Sequence, residues 1–327
     1  MITQNAPQLF IHNNVPLADK NWFRTGGNAR FYCEPSTTNQ MIEAITWAQK
    51  NSLPIFMLGQ GANILISDEG YNGLVVHPVH QKIEILSATE TSALVKAGAG
   101  VIVANLINFC LENQLSGLEE FSGIPGTVGG SVFINIHFFQ YLLSDYLVQA
   151  TVINKLTGET LVVDRTWFNF GYDYSKLHEG TFYLADATFR LKKITARDAA
   201  YGQGRRDEMI RYRGWRYPKA RTCGSFFRNF HDHEVTITSQ GKKMIYVAYY
   251  FDKLGIKGEL SHGGALVSHL HANMIVTQEN AKSNDVIILA RKMQELTFKE
   301  FGILPQAECQ FVGFKENPLL ANSNQEK

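Results

Sequence analysis

The chain has 327 residues, 45% hydrophobic and 19% charged, with 31 Lys and Arg against 30 Asp and Glu. Such a composition buries a large core and excludes a disordered or fibrous chain, while the length argues for two or three structural units. A net charge of +1 without any basic block argues against a nucleic-acid partner but leaves local phosphate binding open.

The opening MITQNAPQLFIHNN lacks the basic start and apolar run of a secretory leader, and no stretch stays apolar for the roughly 18 residues that span a bilayer. The nearest candidate, VFINIHFFQYLL, is broken by Asn135, His137 and Gln140. We therefore expect a cytoplasmic protein without a membrane partner. Cys33, Cys110, Cys223 and Cys309 stand far apart with no C-x-x-C pair, as expected of free thiols in a reducing compartment.

In chain order, TTNQMIEAITWAQKNS at 37–52 places Met41, Ile42, Ile45 and Ala48 on one face, which predicts a helix capped by Thr37 or Thr38. Strands are expected at 54–59 and 73–78, on either side of the loop GQGANILISDEG, and again in KIEIL and ALVKAGAG. VIVANLINFCLENQ at 101–114 has helical spacing. Five glycines and a proline crowd GLEEFSGIPGTVGGS at 117–131, a density that implies backbone packed closely against something. The runs LVQATVIN, TLVVD and FYLADATFRL predict strands, and the polar stretch 192–208 a break between domains. Further strands are expected near GSFFRNF and ANMIVT, followed by an amphipathic helix at 283–302 and a frayed tail.

The first glycine loop, at 59–64, lacks the third glycine of a dinucleotide fingerprint and is followed by a strand. Neither a phosphate-binding P-loop nor a nucleophile elbow occurs. Segments 59–61, 98–100 and 123–130 could present backbone N–H groups to a pyrophosphate, or could simply be tight turns. His231 and His233, and the later His262, His269 and His271, match no zinc spacing, and no metal is expected.

Six segments in order carry a family likeness: NWFRTGGNARFYCEP, LGQGANILISDEGYNGLVV, SGLEEFSGIPGTVGGSVFIN, YPKARTCGSFFRN, GGALVSHLHANMIV and FGILPQAECQFVGF. On these the chain resembles the UDP-N-acetylenolpyruvoylglucosamine reductase (MurB) family over roughly 20–314. The resemblance implies an α+β fold: an FAD-binding module of the vanillyl-alcohol-oxidase (PCMH) type over 1–195, in two subdomains split near 76. A smaller α+β substrate-binding domain over 196–314 and a polar tail over 315–327 would follow.

It further implies that NADPH reduces bound FAD and that flavin N5 passes hydride to UDP-N-acetylglucosamine enolpyruvate, giving UDP-N-acetylmuramate for peptidoglycan. Ser225 matches the family's proton donor and Glu308 its carboxylate partner. Gly59, Gly61, Ala62, Asn63, Gly123, Ile124, Pro125, Gly126, Thr127, Gly129, Gly130 and Asn135 match flavin-contacting positions, and Tyr172, Arg216 and Asn229 substrate-contacting ones. The partner is then a nucleotide sugar, and the protein a monomer or weak oligomer. The H-A-N run at 271–273 shapes the domain and takes no catalytic part.

The chain departs from the family pattern at three places. Asp173 stands where the Tyr-Arg-x-Ser motif has its arginine, His137, Phe138, Phe139 and Gln140 replace small residues, and Ala62 replaces a common serine. At an effective dielectric near 20 and about 4 Å, one charge pair is worth about 4 kcal/mol, so reversing the sign at 173 demands an answer. Arg211 or Arg213 could substitute, Asp173 could turn away, or the substrate could differ: a divergent flavoprotein acting on another nucleotide sugar, or a non-catalytic paralogue.

Overall fold

The computed structural model describes residues 9–320. The leader-free reading of residues 1–8 and the end of the expected tail, 321–327, lie outside them. The chain forms two compact units. One comprises the chain up to Val15, Ala29–Gln60 and Asn72–Tyr212; the other takes Pro16–Asn28, Gly61–Tyr71 and the chain from Arg213 onward.

The first unit contains two sheets. Its four-stranded sheet has the order His12–Pro16, Asn28–Cys33, Tyr71–Val76, Ile55–Met57, the last two strands being parallel. Helix α1, Thr38–Lys50, packs Ala44 and Ala48 against Cys33, Leu74 and Val76 of this sheet. The predicted start of α1 is observed: the Thr37 side chain accepts the Gln40 N–H at 3.2 Å, satisfying one of the donors a helix leaves open.

The larger, antiparallel sheet runs Thr160–Asp164, Leu147–Asn154, Phe182–Lys193, Ser92–Gly98, Ile83–Ala88, and Leu115–Ser116 adds to the end of Phe182–Lys193. Inward residues such as Val95, Val152, Ala187 and Phe189 are buried with Leu106, Ile107 and Leu111 of α2, Val103–Glu112, and Val128 and Val132 of α3, Val128–Phe133.

The second unit gathers segments far apart in sequence. Ile64–Ile66 pairs in parallel with Gln310–Val312, and Ser261–His262, Ala265–Val267 and Ile275–Thr277 form an antiparallel sheet. Helices α5, Val247–Lys253, and α6, Ser283–Phe301, share a core with these strands: Phe227, Val247, Tyr250, Phe251, Val286, Ala290 and Met293 are all buried in one cluster.

Three readings of the sequence need correction. The polar stretch taken as a break is a helix, α4, Ala196–Arg216. It buries only Ala199 and Met209, so it carries too few apolar residues for a visible period, and Gly202 and Gly204 interrupt it. Arg205 fastens α4 with two N–H bonds to the Glu120 carboxylate, at 2.8 and 2.9 Å. The compact units divide after Tyr212, inside that helix. GSFFRNF forms no ladder; its one bridge is Phe227 to Ala307. Finally, the tail does not fray at its start: Leu319 is buried, and Arg291 Nε donates to the Pro318 carbonyl at 2.6 Å.

Candidate functional site

In the first unit the glycine-dense segment turns into α3 through Thr127, whose Oγ1 accepts the Gly130 N–H at 3.2 Å. The predicted residues Gly59 and Thr127 meet here. A Cβ on Gly59 would stand 2.8 Å from Thr127 Oγ1, so only glycine leaves this cap intact. The row of outward N–H groups suggested for 123–130 is only partly outward. Val128 N–H donates to the Val101 carbonyl and Gly129 N–H to that of Ala99, both at 2.8 Å. Ile124 N–H, beside Gly123 and Pro125, donates to the Phe121 carbonyl at 3.1 Å, and the Gly126 carbonyl accepts from Val103. Segment 98–100 is structural: added Cβ atoms on Gly98 and Gly100 would strike His80 and the Pro78 carbonyl at 1.9 and 2.3 Å.

Sequence reasoning missed Ser122. Its Oγ is buried and meets no hydrogen-bond partner among the described residues, an arrangement that costs free energy unless a ligand completes it. The available signal was a hydroxyl residue immediately before Gly123.

Asn135 has a left-handed backbone, φ 49°, and a buried side chain bonded to the protein at both its oxygen and its nitrogen. Its Oδ1 accepts the Ser144 N–H at 3.2 Å and its Nδ2 donates to the Gly171 carbonyl at 3.1 Å. It thus holds the turn that carries the next predicted residues. Ser175 closes the other end, its Oγ donating to the Phe133 carbonyl at 2.6 Å. Between these clamps Asp173 is itself left-handed, φ 51°, and its Oδ1 lies 3.4 Å from His137 Nδ1. The exposed Tyr172 ring packs on His137 with centroids 4.8 Å apart. Exposed Phe139, φ 52°, and Gln140 form the turn of the short His137–Leu142 hairpin. Asp173 is therefore not turned into solvent; an imidazole meets it.

In the second unit Gly61, Ala62 and Asn63 follow one another in a loop pinned at both ends. The Gly61 carbonyl accepts from Trp22 at 3.0 Å and that of Asn63 from Gln310 at 3.1 Å. Asn63 Nδ2 donates to the Glu308 carbonyl at 3.5 Å, while its buried Oδ1 meets no partner among the described residues.

The Ser225 and Glu308 segments lie side by side. The Phe226 carbonyl accepts N–H bonds from Glu308 and Cys309, at 2.9 and 3.3 Å, and Arg228 N–H donates to Gln306 at 2.9 Å. Asn273 fixes the other side of the Ser225 segment: its carbonyl accepts from Phe226 at 2.9 Å, its Oδ1 from Phe227 at 3.1 Å, and its Nδ2 donates to the Phe227 carbonyl at 2.7 Å. The H-A-N run thus builds the fold around Ser225. Asn229 Oδ1 accepts the Val247 N–H at 3.3 Å at the start of α5.

His271 Nδ1 accepts the Asn273 N–H at 3.2 Å, which requires an unprotonated ring nitrogen there. Burial, reinforced by the Arg216 guanidinium, holds His271 down at about 4. Arg216 also lies over the Tyr217 ring at 5.9 Å. Beneath the two segments Cys223 and Cys309 hydrogen-bond each other; burial first, then that bond, pushes the Cys309 thiol well up. Arg228 holds Glu234 through two N–H bonds at 2.7 and 2.8 Å, bringing its carboxyl down to about 2.

An FAD binding domain family matches residues 29–164, and the C-terminal domain family of UDP-N-acetylenolpyruvoylglucosamine reductase matches 217–312. The chain is 31% identical over 312 residues to the UDP-N-acetylenolpyruvoylglucosamine reductase of Synechococcus sp. (strain JA-3-3Ab), covering 95% of this chain and 94% of that one. It is 33% identical over 304 residues to the protein of the same name from Synechocystis sp., covering 93% and 91%. The crystal structure of UDP-N-acetylenolpyruvylglucosamine reductase from Thermus caldophilus superposes with a TM-score of 0.75 at 26% identity, covering 93% of this chain and all of that one. With both families matched in order and relatives aligned along almost their entire length, the chain belongs to the UDP-N-acetylenolpyruvoylglucosamine reductase family.

Proposed function

We propose that the protein catalyses the FAD-dependent, NADPH-using reduction of UDP-N-acetylglucosamine enolpyruvate to UDP-N-acetylmuramate in peptidoglycan synthesis. The observation that carries this reading is the pairing of the Ser225 and Glu308 segments through the Phe226 carbonyl, in a chain whose relatives are named for that reduction.

The residues present fit the flavin. Buried Ser122 Oγ and Asn63 Oδ1 each want a partner, and Gly59 leaves bare backbone beside the Thr127 cap. Gly59, Ser122 and Gly123 to Thr127, with Gly129 and Gly130, would hold FAD, and Gly61, Ala62 and Asn63 are proposed as flavin contacts. Asn135, also proposed as a flavin contact, supports this loop through both ends of its amide. When bound, the flavin supplies the hydride taken from NADPH.

Hydride on the methylene carbon leaves negative charge on the carbon next to the carboxylate, and that carbon needs a proton. Ser225 is proposed to give it. A serine hydroxyl is a weak acid, so the transfer depends on position, which Asn273 and the Phe226 carbonyl supply through the main chain on either side. Glu308 is proposed to assist by holding a proton beside the developing enolate. Arg216, with a charge suited to phosphate, Tyr172 and Asn229 are proposed substrate contacts.

We propose that the protein works in the cytoplasm, where NADPH and the nucleotide sugar would meet it, as a monomer or weak oligomer. Among the described residues no helix is long and apolar enough to cross a membrane.

A second reading is favoured by Asp173 alone: a carboxylate at this turn suits a nucleotide sugar whose reacting group is not anionic. Anaerobic spectroscopy decides between the two. The protein is reduced with NADPH, UDP-N-acetylglucosamine enolpyruvate is added, and the oxidised flavin band is followed. Return of the band supports the reductase; a flavin that reduces but stays reduced sinks it in favour of the second reading.

A further inference from the structure

We propose that Asn21 is a further flavin-binding residue: its side-chain oxygen and that of Asn63 form a pair of acceptors for hydroxyl or N–H groups of the bound FAD. The inference rests on the reading above that Gly61 to Asn63 contact the flavin.

Both asparagines belong to the second unit, and three observations join them. Asn21 is 2% exposed and its amide is fixed in one orientation. Its Nδ2 donates to the Leu17 and Thr25 carbonyls at 2.7 and 2.8 Å, and turning the amide over would set its oxygen against both. The Oδ1 atom so fixed is buried and meets no partner among the described residues, and the same holds for Asn63 Oδ1. Gly61 ties the two residues to one loop. It lies on Asn21 so closely, with φ 65°, that an added Cβ would stand 2.6 Å from Asn21 Cα, and its carbonyl accepts the Trp22 N–H at 3.0 Å. Asn63 follows two residues later, its Nδ2 donating to the Glu308 carbonyl at 3.5 Å.

The chemistry of the ligand follows from the atoms left over. A buried amide oxygen without a donor costs free energy, and here two occur at one loop. An amide oxygen only accepts, so whatever completes the pair must donate. FAD carries donors in both halves: the ring N–H and ribityl hydroxyls of the flavin half, and the hydroxyls and amine of the adenosine half. Its pyrophosphate, ionised at neutral pH, carries none and cannot satisfy either oxygen. Asn21 thereby gives the NWFRTGG motif a part in binding.

The test compares FAD affinity, read by flavin fluorescence as FAD is added to the full-length protein stripped of flavin, with the stability of that stripped protein in denaturant. Asn21→Leu should raise the FAD dissociation constant about tenfold to a hundredfold, because a donor of the flavin then stays buried without an acceptor. Asn21→Asp keeps an acceptor oxygen and loses the bonds to Leu17 and Thr25. Its FAD dissociation constant should stay within about threefold of wild type, although the stripped protein is destabilised as much as that of Asn21→Leu or more. FMN and ADP, each titrated in competition with FAD, locate the donor and decide the matter where Asn21→Asp does not fold. Asn21→Leu should weaken one of the two about tenfold and leave the other within about twofold.

An Asn21→Leu protein that binds FAD as the wild type does, as it would if water filled both acceptors, overturns the inference and leaves the reductase reading intact. So does an affinity that falls as far in Asn21→Asp as in Asn21→Leu, or an equal weakening of FMN and ADP, since Asn21 then only shapes the loop. A wild-type protein that takes up no FAD overturns both.

Discussion

Asn273 and Phe227 exchange two hydrogen bonds across the second unit, Phe227 N–H to Asn273 Oδ1 at 3.1 Å and Asn273 Nδ2 to the Phe227 carbonyl at 2.7 Å. Both residues are buried, Asn273 at 3% and Phe227 at 0% exposure, so neither main-chain group has water as an alternative. The amide side chain takes the part of a missing neighbouring strand.

Asn273→Ala should therefore destabilise the protein by about 2–4 kcal/mol, the cost of stranding two buried main-chain groups. Denaturant unfolding reads it directly. Turnover should fall as well, because Ser225 lies two residues before Phe227. Asn273→Asp, which keeps the acceptor and loses the donor, should be intermediate; a full-strength Asn273→Ala protein would remove this account of the H-A-N run.

Ser225→Ala should leave reduction by NADPH within about twofold of wild type and slow reoxidation by the enolpyruvyl substrate about 10²–10⁴-fold, the usual range for a lost proton donor. Stopped-flow absorbance separates the two phases. Equal slowing of both phases would mean that the substitution disturbed flavin binding and that the proton comes from elsewhere.

Gly59→Ala should loosen the flavin. The added methyl would press on Thr127 Oγ1 from 2.8 Å and displace the cap of α3, worth about 1–2 kcal/mol. An equivalent loss in binding is about 5- to 30-fold in the FAD dissociation constant. Ultrafiltration and fluorescence of released flavin measure it. Thr127→Ala should give a loss of similar size, and the double variant should add little to either single one because both break the same bond.

His271 predicts an acid-side loss of stability. Its folded value, about 4, lies below the ordinary histidine value near 6.5, so at intermediate pH the unfolded chain binds the extra proton. Stability should be complete above about pH 6.5 and decline as pH falls toward 4, by about 2–3 kcal/mol after allowance for partial exposure. Unfolding midpoints across pH 4 to 7 test this. His271→Gln should flatten the window, leaving a separate loss below it from Glu234, whose folded value near 2 also lies under its ordinary one.

Much of this architecture was legible because the elements concerned are periodic. Met41, Ile45 and Ala48 marked α1, and the strands Leu147–Asn154 and Thr160–Asp164 occur at their predicted bounds. Helix α4 escaped because it buries only Ala199 and Met209, too few apolar residues to leave a hydrophobic period. The Ser225 stretch read as a strand for the opposite reason: its aromatic, buried residues imitate one, although an Asn side chain makes the pairing. Site residues were legible only as a likeness of motifs. Spacing could not disclose that His137 and Asp173 meet, since the hairpin and turn that join them depend on left-handed residues with no glycine to announce them.

The parallel pairing of Ile64–Ile66 with Gln310–Val312 also orders events during synthesis. At about 5–20 residues per second, a ribosome needs roughly ten to fifty seconds to travel from one strand to the other. Throughout that interval three consecutive apolar residues with an unpaired edge must wait, while the first unit's large antiparallel sheet, complete by Lys193, is free to form. The nascent chain thus carries a built-in delay, and a holdase chaperone that covers Ile64–Ile66 would shorten no folding step yet raise the yield of finished protein.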